Sequence, residues 1–223
     1  MKKVIVVAEG PTEEKFVRRV LNPHFIQLGI YLDVQQWITN RKLGTTGGGK
    51  SFDLIENHIQ RLMSRYRNDK EIFISIMIDL YAFPKQGNTI YDNEVSKITN
   101  SRDKVLLLEK KMAARFNYKN FIPYVQLHEY ETLFFSETDK LKGFYTDKLK
   151  EIDQLIVEIK GKTPEEINET PDGAPSKRII KYLPSYQKQK TTAGVISAES
   201  IGLPRLRAAC PHFDDWLTRL ELL

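Results

Sequence analysis

Cysteine is almost absent: Cys210 stands alone among 223 residues. An internal disulfide is thereby excluded, as is a cysteine-rich zinc site. The expected home is a reducing cytoplasm. Histidine is scarce too, at four, so nothing in the chain offers the His and Cys cluster that a soft metal prefers. No stretch approaches the ~18 consecutive apolar residues of a membrane span. The opening MKKVIVVAEG carries basic residues, but its apolar run is too short for a signal peptide and meets charge at once. No internal repeat is visible. Acid and base are nearly balanced, with 34 Lys and Arg against 29 Asp and Glu, a net charge of +5. That excess suits a phosphate-bearing partner without demanding one. With 41% hydrophobic residues, the chain has enough apolar material for one generous core.

The apolar residues are arranged in an alternating order of strands and helices. Residues 4–8 form a continuous β-rich run, as buried central strands do. Gly10 and Pro11 end it, and Phe16, Val17, Val20 and Leu21 then recur at helical spacing. Glu13 and Glu14 fall in that helix's first turn, where they complement its dipole. Residues 30–38 alternate in the manner of a half-exposed strand near an edge. Ser51 is placed to cap a helix marked by Phe52, Ile55, Ile59, Leu62 and Met63. Residues 72–78 are the most hydrophobic run and end at Asp79, which predicts another central strand. A helical region from Val95 to about Phe116 and a strand over 121–127 follow. The pattern predicts an α/β fold with a mostly parallel central sheet and helices on both faces. Beyond about residue 140 the strand-like runs stop. Residues 1–140 are expected to form the α/β core, and 141–223 a mainly helical extension packed on it.

Residues 44–51 read GTTGGGKS and satisfy the phosphate-loop pattern G-x-x-x-x-G-K-[ST]. A working loop of that kind joins a buried strand directly to a helix. Here the preceding strand is amphipathic, and TNRKL intervenes. The bland reading is a flexible basic loop capped by Ser51, in which Lys50 remains a candidate phosphate contact.

The acids at strand ends carry the stronger signal. In open α/β sheets, ligands bind beyond the carboxyl ends of the strands. Three predicted strands end in acids: Glu9 after the first, Asp79 after the second, Glu129 and Glu131 after the third. If those strands lie side by side, the carboxylates converge, and a divalent cation relieves their repulsion. Mg²⁺ or Mn²⁺ is the expected ion. The ordinary alternative is that each acid merely caps a helix or closes a turn.

These residues support a resemblance. VAEGPTEEKFV, MIDLYAFP, VQLHEYETLFF, APSKRI and CPHFDDWL are similar to a prokaryotic family, domain of unknown function 4276, over nearly the whole chain. More broadly, residues 1–135 resemble the Toprim fold, a metal-dependent catalytic domain of topoisomerases, primases and some nucleases. That resemblance implies a general acid or base at Glu9 and a metal ligand at Asp79. It also implies a second Asp two residues on, where this sequence has Tyr81. Glu129 or Glu131 is expected to supply the missing charge. The family resemblance further implies a partner ATPase in defence against mobile elements.

Around this acidic centre lie acid-free stretches. Residues 173–197 carry Lys177, Arg178, Lys181, Lys188 and Lys190, interleaved with Tyr182 and Tyr186. Basic groups among aromatics suit a nucleic acid, by phosphate contact and base stacking. Lys50, Lys177, Arg178 and Lys190 are the candidate phosphate contacts. His24, His128 and His212 are expected to pack or hydrogen-bond, and Cys210 to behave as a small buried hydrophobe. The expected function is Mg²⁺-dependent processing of phosphodiester bonds in nucleic acid, in the manner of a nuclease. The two alternatives are a non-catalytic module binding nucleic acid or an ATPase, and a nucleotide triphosphatase using residues 44–51.

Overall fold

In a computed structural model, which describes residues 1–40, 45–46, 51–168 and 173–223, the chain opens with β1 (Lys2–Ala8). Gly10 then turns it into α1 (Pro11–Phe16), with Pro11 at the first helical position, where its missing N–H costs nothing. The helix runs through one π-helical stretch, Val17–Leu21, into α2 (Asn22–Gln27). Next come β2 (Ile30–Gln36), β3 (Ile38–Asn40) and β4 (Thr45–Thr46). α3 (Phe52–Arg65) is capped by Ser51, whose Oγ accepts the Asp53 N–H at 3.3 Å. β5 (Ile72–Asp79), α4 (Asn93–Lys97), α5 (Ser101–Phe116) and β6 (Phe121–Gln126) complete the alternation. The helical region expected over 95–116 is thus two helices. Helices then dominate: α6 (Leu149–Ile159), α7 (Pro175–Tyr182), α8 (Tyr186–Ile201), α9 (Leu203–Ala209) and α10 (Pro211–Glu221).

The main sheet has four strands in the order β2-β1-β5-β6, all parallel. β1 and β5 are central, and β2 lies at an edge, as the hydrophobic patterns predict. The strand expected over 30–38 breaks at Trp37: β2 stays in the main sheet, and Ile38–Asn40 pairs antiparallel with Thr45–Thr46 instead. Two residues of the phosphate-loop pattern therefore belong to a small hairpin. They do not follow a central strand of the main sheet, which is the placement such a loop requires. Lys50, Gly44 and residues 47–49 lie outside the described residues.

Side chains alternate across the sheet, and the two faces build two cores. Ile5, Val7, Ile74, Ile76, Ile78 and Val125 face α3 and α5. Val4, Val6, Ala8, Met77 and Tyr124 face the other way, into a cluster that holds Phe16, Tyr186, Phe213 and Trp216. Residues beyond 140 thus share one continuous core with the sheet. Trp216 anchors α10 there: its ring stacks on Tyr124 at 4.4 Å and 7°, and its Nε1–H donates to Ser75 Oγ at 3.0 Å. Cys210 is buried as expected, and burial pushes its thiol up to about 12. Among the described residues, no helix is long and apolar enough to cross a membrane.

Trp216→Ala removes a fully buried ring and leaves Ser75 without its donor. It is expected to cost about 3–5 kcal/mol, read as a lower urea midpoint with unchanged slope. A loss below about 1 kcal/mol would show that α10 does not depend on this anchor.

Candidate functional site

Parallel strands deliver their carboxyl ends to one edge. The register sets Ala8 of β1 beside Met77 of β5, and Asp79 beside Gln126 of β6. Glu9, Asp79 and Glu129 consequently leave the sheet within a few residues of the same level. All three line one pocket of about 230 Å³, together with Glu13, Glu131 and Lys190. The sequence-based convergence of Glu9, Asp79, Glu129 and Glu131 is what the structure places there. Alternation along β5 explains the other two members. Ser75, Met77 and Asp79 share the face covered by α1, α8 and α10, so Asp79 emerges against Glu13 of α1 and Lys190 of α8.

Each carboxylate has a different set of partners. Glu13 is buried and accepts the Gly10 N–H at 3.0 Å. Glu129 Oε2 accepts the Ser176 N–H at 2.8 Å, which caps the start of α7. Glu131 is buried, and its Oε1 accepts the Tyr186 hydroxyl at 3.1 Å and pairs with Lys190 Nζ at 3.1 Å. Asp79 differs: its buried Oδ1 has no hydrogen-bond partner. Burial pushes the Asp79 carboxyl well above its usual range, and Glu13, Glu9, Glu131 and Glu129 push it further. Burial also raises Glu13 and Glu131, with the Lys190 ammonium pulling both back. Lys190 loses hydration, which by itself lowers its pKa. Glu131, Glu129 and Asp79 outweigh that loss and hold it cationic. One lysine thus faces five carboxyl groups, an arrangement that is unfavourable without protons or a further cation.

The donors are carboxylate oxygens, the hard set that Mg²⁺ and Mn²⁺ take. The unpartnered Oδ1 of Asp79 is an atom a cation would satisfy. As the side chains stand, no group of three or more His, Cys, Asp or Glu among the described residues is placed to hold a metal ion. Mg²⁺ needs none: it commonly takes one or two carboxylates and completes its shell with water and substrate phosphates. The residues fit a cation shared with a substrate.

Sequence reasoning assigned Glu13 to the helix dipole, yet it is a member of the acid cluster. The available signal was its spacing: Glu9 and Glu13 flank the tight turn at Gly10. Lys190, expected on a basic face toward phosphate, instead points into the acid pocket. The segment 173–197 is not an open basic face. Arg178 Nη1, Lys181 Nζ and the Tyr182 hydroxyl all converge on Glu158, at 2.5, 2.6 and 2.7 Å. Burial by itself would raise Glu158, but these three partners hold it down at about 2. Arg178 is therefore a structural cation, whose Nε also donates to the Gly173 carbonyl. Lys177 is exposed on α7. Tyr81, where a second Asp was expected, hydrogen-bonds His128 Nδ1 at 3.2 Å. His128 has φ +61°, and its Nε2 lies 2.9 Å from the Glu165 carbonyl, so the ring braces the turn that leads into Glu129.

The chain belongs to the family described as a domain of unknown function (DUF4276), whose model matches residues 8–221. No curated protein matches it. Among solved structures it is similar to the C-terminal region of the Xanthomonas campestris pv. campestris OLD protein phased with mercury. That match has 15% identity and a TM-score of 0.40, covering 97% of this chain and 97% of that one. The platinum-phased structure of the same region gives 15% identity and a TM-score of 0.39, covering 98% and 95%. The likeness is loose.

Because its folded-state value is raised, Asp79 favours folding most below its ordinary pKa of 3.8. That contribution is lost as pH rises through the folded value. Asp79→Asn is expected to stabilise the protein by about 1 kcal/mol or more near pH 8, with the gain fading toward about pH 4. Urea unfolding at both pH values measures it. An equal effect at the two would place Asp79 outside a repulsive cluster.

Proposed function

We propose that this protein processes phosphodiester bonds in nucleic acid, as a Mg²⁺- or Mn²⁺-dependent nuclease. The observation that carries this reading is the buried, unpartnered Oδ1 of Asp79 among five carboxyl groups at the carboxyl edge of a parallel sheet. A site so overloaded with negative charge recommends itself for a ligand that arrives with cations. A phosphodiester bound through a divalent ion is such a ligand. The placement of Glu9 after the first strand and Asp79 at the end of a central one also resembles the Toprim arrangement.

In this reading Asp79 and Glu129 would hold a metal ion, which would supply charge neutralisation for the phosphoryl oxygens and acidify water. Glu9 stands half-buried at the pocket wall and serves as the general base toward the attacking water. Lys190 pairs with Glu131 and would offer a second positive charge as negative charge builds on the phosphoryl oxygens. Glu131 and the Tyr186 hydroxyl hold that lysine in place. The non-catalytic reading has its own support: Tyr81 replaces a carboxylate, and Glu131 is already occupied.

Cleavage of end-labelled single- and double-stranded DNA and RNA, in Mn²⁺, Mg²⁺ or EDTA, separates the two. Wild type is expected to cut only with metal, and Glu9→Gln and Asp79→Asn are each expected to slow it by about 10²–10⁴-fold. Asp79→Asn should also weaken Mn²⁺ binding, read by the relaxation of water protons. Cutting that persists in Glu9→Gln would remove the base. Nucleic-acid binding with no cutting on any substrate would establish the module instead.

A further inference from the structure

A second concavity is lined in part by residues that immediately precede those of the acid pocket in sequence. It encloses about 780 Å³, and its wall includes Leu127 and His128, whose neighbour Glu129 lines the acids. Adjacent Cα atoms are about 3.8 Å apart, so one backbone step separates His128 in this wall from Glu129 in the other. α5 leads into β6, which sets the start of α5, Asn100 to Arg102, at the same carboxyl edge of the sheet. The cleft is walled by that start, by Pro164 to Glu166, and by α9 with Arg205.

Its charges are unevenly committed. The two carboxylates are occupied within the protein: Glu165 accepts the N–H groups of His212 and Phe213 at the start of α10, at 2.9 and 3.2 Å. Glu166 accepts the Thr163 hydroxyl at 2.8 Å. The arginines are held loosely. Arg102 pairs with Asp215 at 3.2 Å with both side chains largely exposed, a contact worth little in water. Arg205 donates Nε to the Ser136 carbonyl at 3.0 Å, one of the five N–H donors a guanidinium carries. The cleft therefore presents arginine donors with unspent capacity, beside carboxylates that are hydrogen-bonded within the protein.

We propose that this cleft receives the unpaired strand of a nucleic acid, with Arg102 and Arg205 gripping phosphates next to the one at the carboxylates. The inference rests on the function proposed above and names its substrate as single-stranded. Size supports the choice. Volumes of about 300–1,000 Å³ suit a drug-sized ligand, hence one or two nucleotides and not a duplex. Charge supports it as well, because the acid pocket repels phosphates unless metal is bound, so grip on the flanking backbone must come from elsewhere.

The test uses the full chain and labelled oligothymidylates from dimer to octamer, with a blunt duplex for comparison, read by fluorescence anisotropy in Ca²⁺. Arg102→Glu/Arg205→Glu is expected to lose at least ~10-fold in single-strand affinity. Its log–log salt slope should shrink by about 1.4, two phosphate contacts at about 0.7 each. Arg102→Gln/Arg205→Gln should show a smaller loss of the same kind, which guards against misfolding of the charge reversal. Mn²⁺ binding at the acids should match wild type in both. Affinities within twofold of wild type would overturn the cleft, as would a duplex bound more tightly than the single strand. Metal-dependent cutting that survives such a result leaves the nuclease reading standing. Arginine-dependent single-strand binding without any cutting does the reverse.

Discussion

Crowding of like charge at one edge of a parallel sheet is the constraint the rest of the molecule answers. Parallel strands cannot scatter their ends, and here β1, β5 and the turn after β6 all finish in acids. α1 adds Glu13 from above. Asp79 bears the consequence, since its carboxyl is repelled by four neighbours and its buried Oδ1 is unpartnered. Structural acids elsewhere in this chain are treated differently. Glu158 is given an arginine, a lysine and a tyrosine, and Glu165 is given two backbone N–H groups. Asp79 Oδ1 has no comparable partner.

The helices beyond residue 140 supply what the sheet lacks. α8 brings Lys190 and Tyr186 to Glu131, and α7 offers the Ser176 N–H to Glu129. The approach of α8 depends on Gly194. A Cβ there would meet Phe134 at 3.1 Å and the Tyr186 hydroxyl at 3.3 Å. Lys190 lies four residues earlier, on the same helical face, so the close packing at Gly194 carries the ammonium into the pocket. The strand ends, the turn after β6 and α1 provide the negative charge, and α8 the only cation among the pocket's residues.

Much of this architecture was legible beforehand because it rests on local pattern. Buried parallel strands read as continuous apolar runs, and 4–8, 72–78 and 121–127 did so. The convergence of Glu9, Asp79, Glu129 and Glu131 followed from topology alone. What escaped depended on contacts far apart in sequence. Glu13 looks like an ordinary dipole residue until β5's alternation brings Asp79 beneath it. Arg178 and Lys190 look alike in an acid-free segment, yet one turns to Glu158 and the other to Glu131. Only the packing of α6 and α8 decides which. The break at Trp37 did leave a mark, because Gln36 interrupts the alternation of Ile30, Leu32 and Val34 and Trp37 follows out of phase.

Tyr81, where the sequence resemblance implied a second acid, adds no charge to the cluster. A carboxylate at that position would add to a cluster already short of positive charge. The tyrosine is instead raised to about 12 by burial and by Glu129, so it stays neutral through the physiological range. His128 is lowered by burial, which favours its neutral form. With Nε2–H donated to the Glu165 carbonyl, its Nδ1 is left to accept the Tyr81 hydroxyl. That bond braces a residue held at φ +61° immediately before Glu129. Tyr81 thus helps fix the aim of a neighbouring carboxylate. The site keeps its geometry while the burden on Asp79 does not grow.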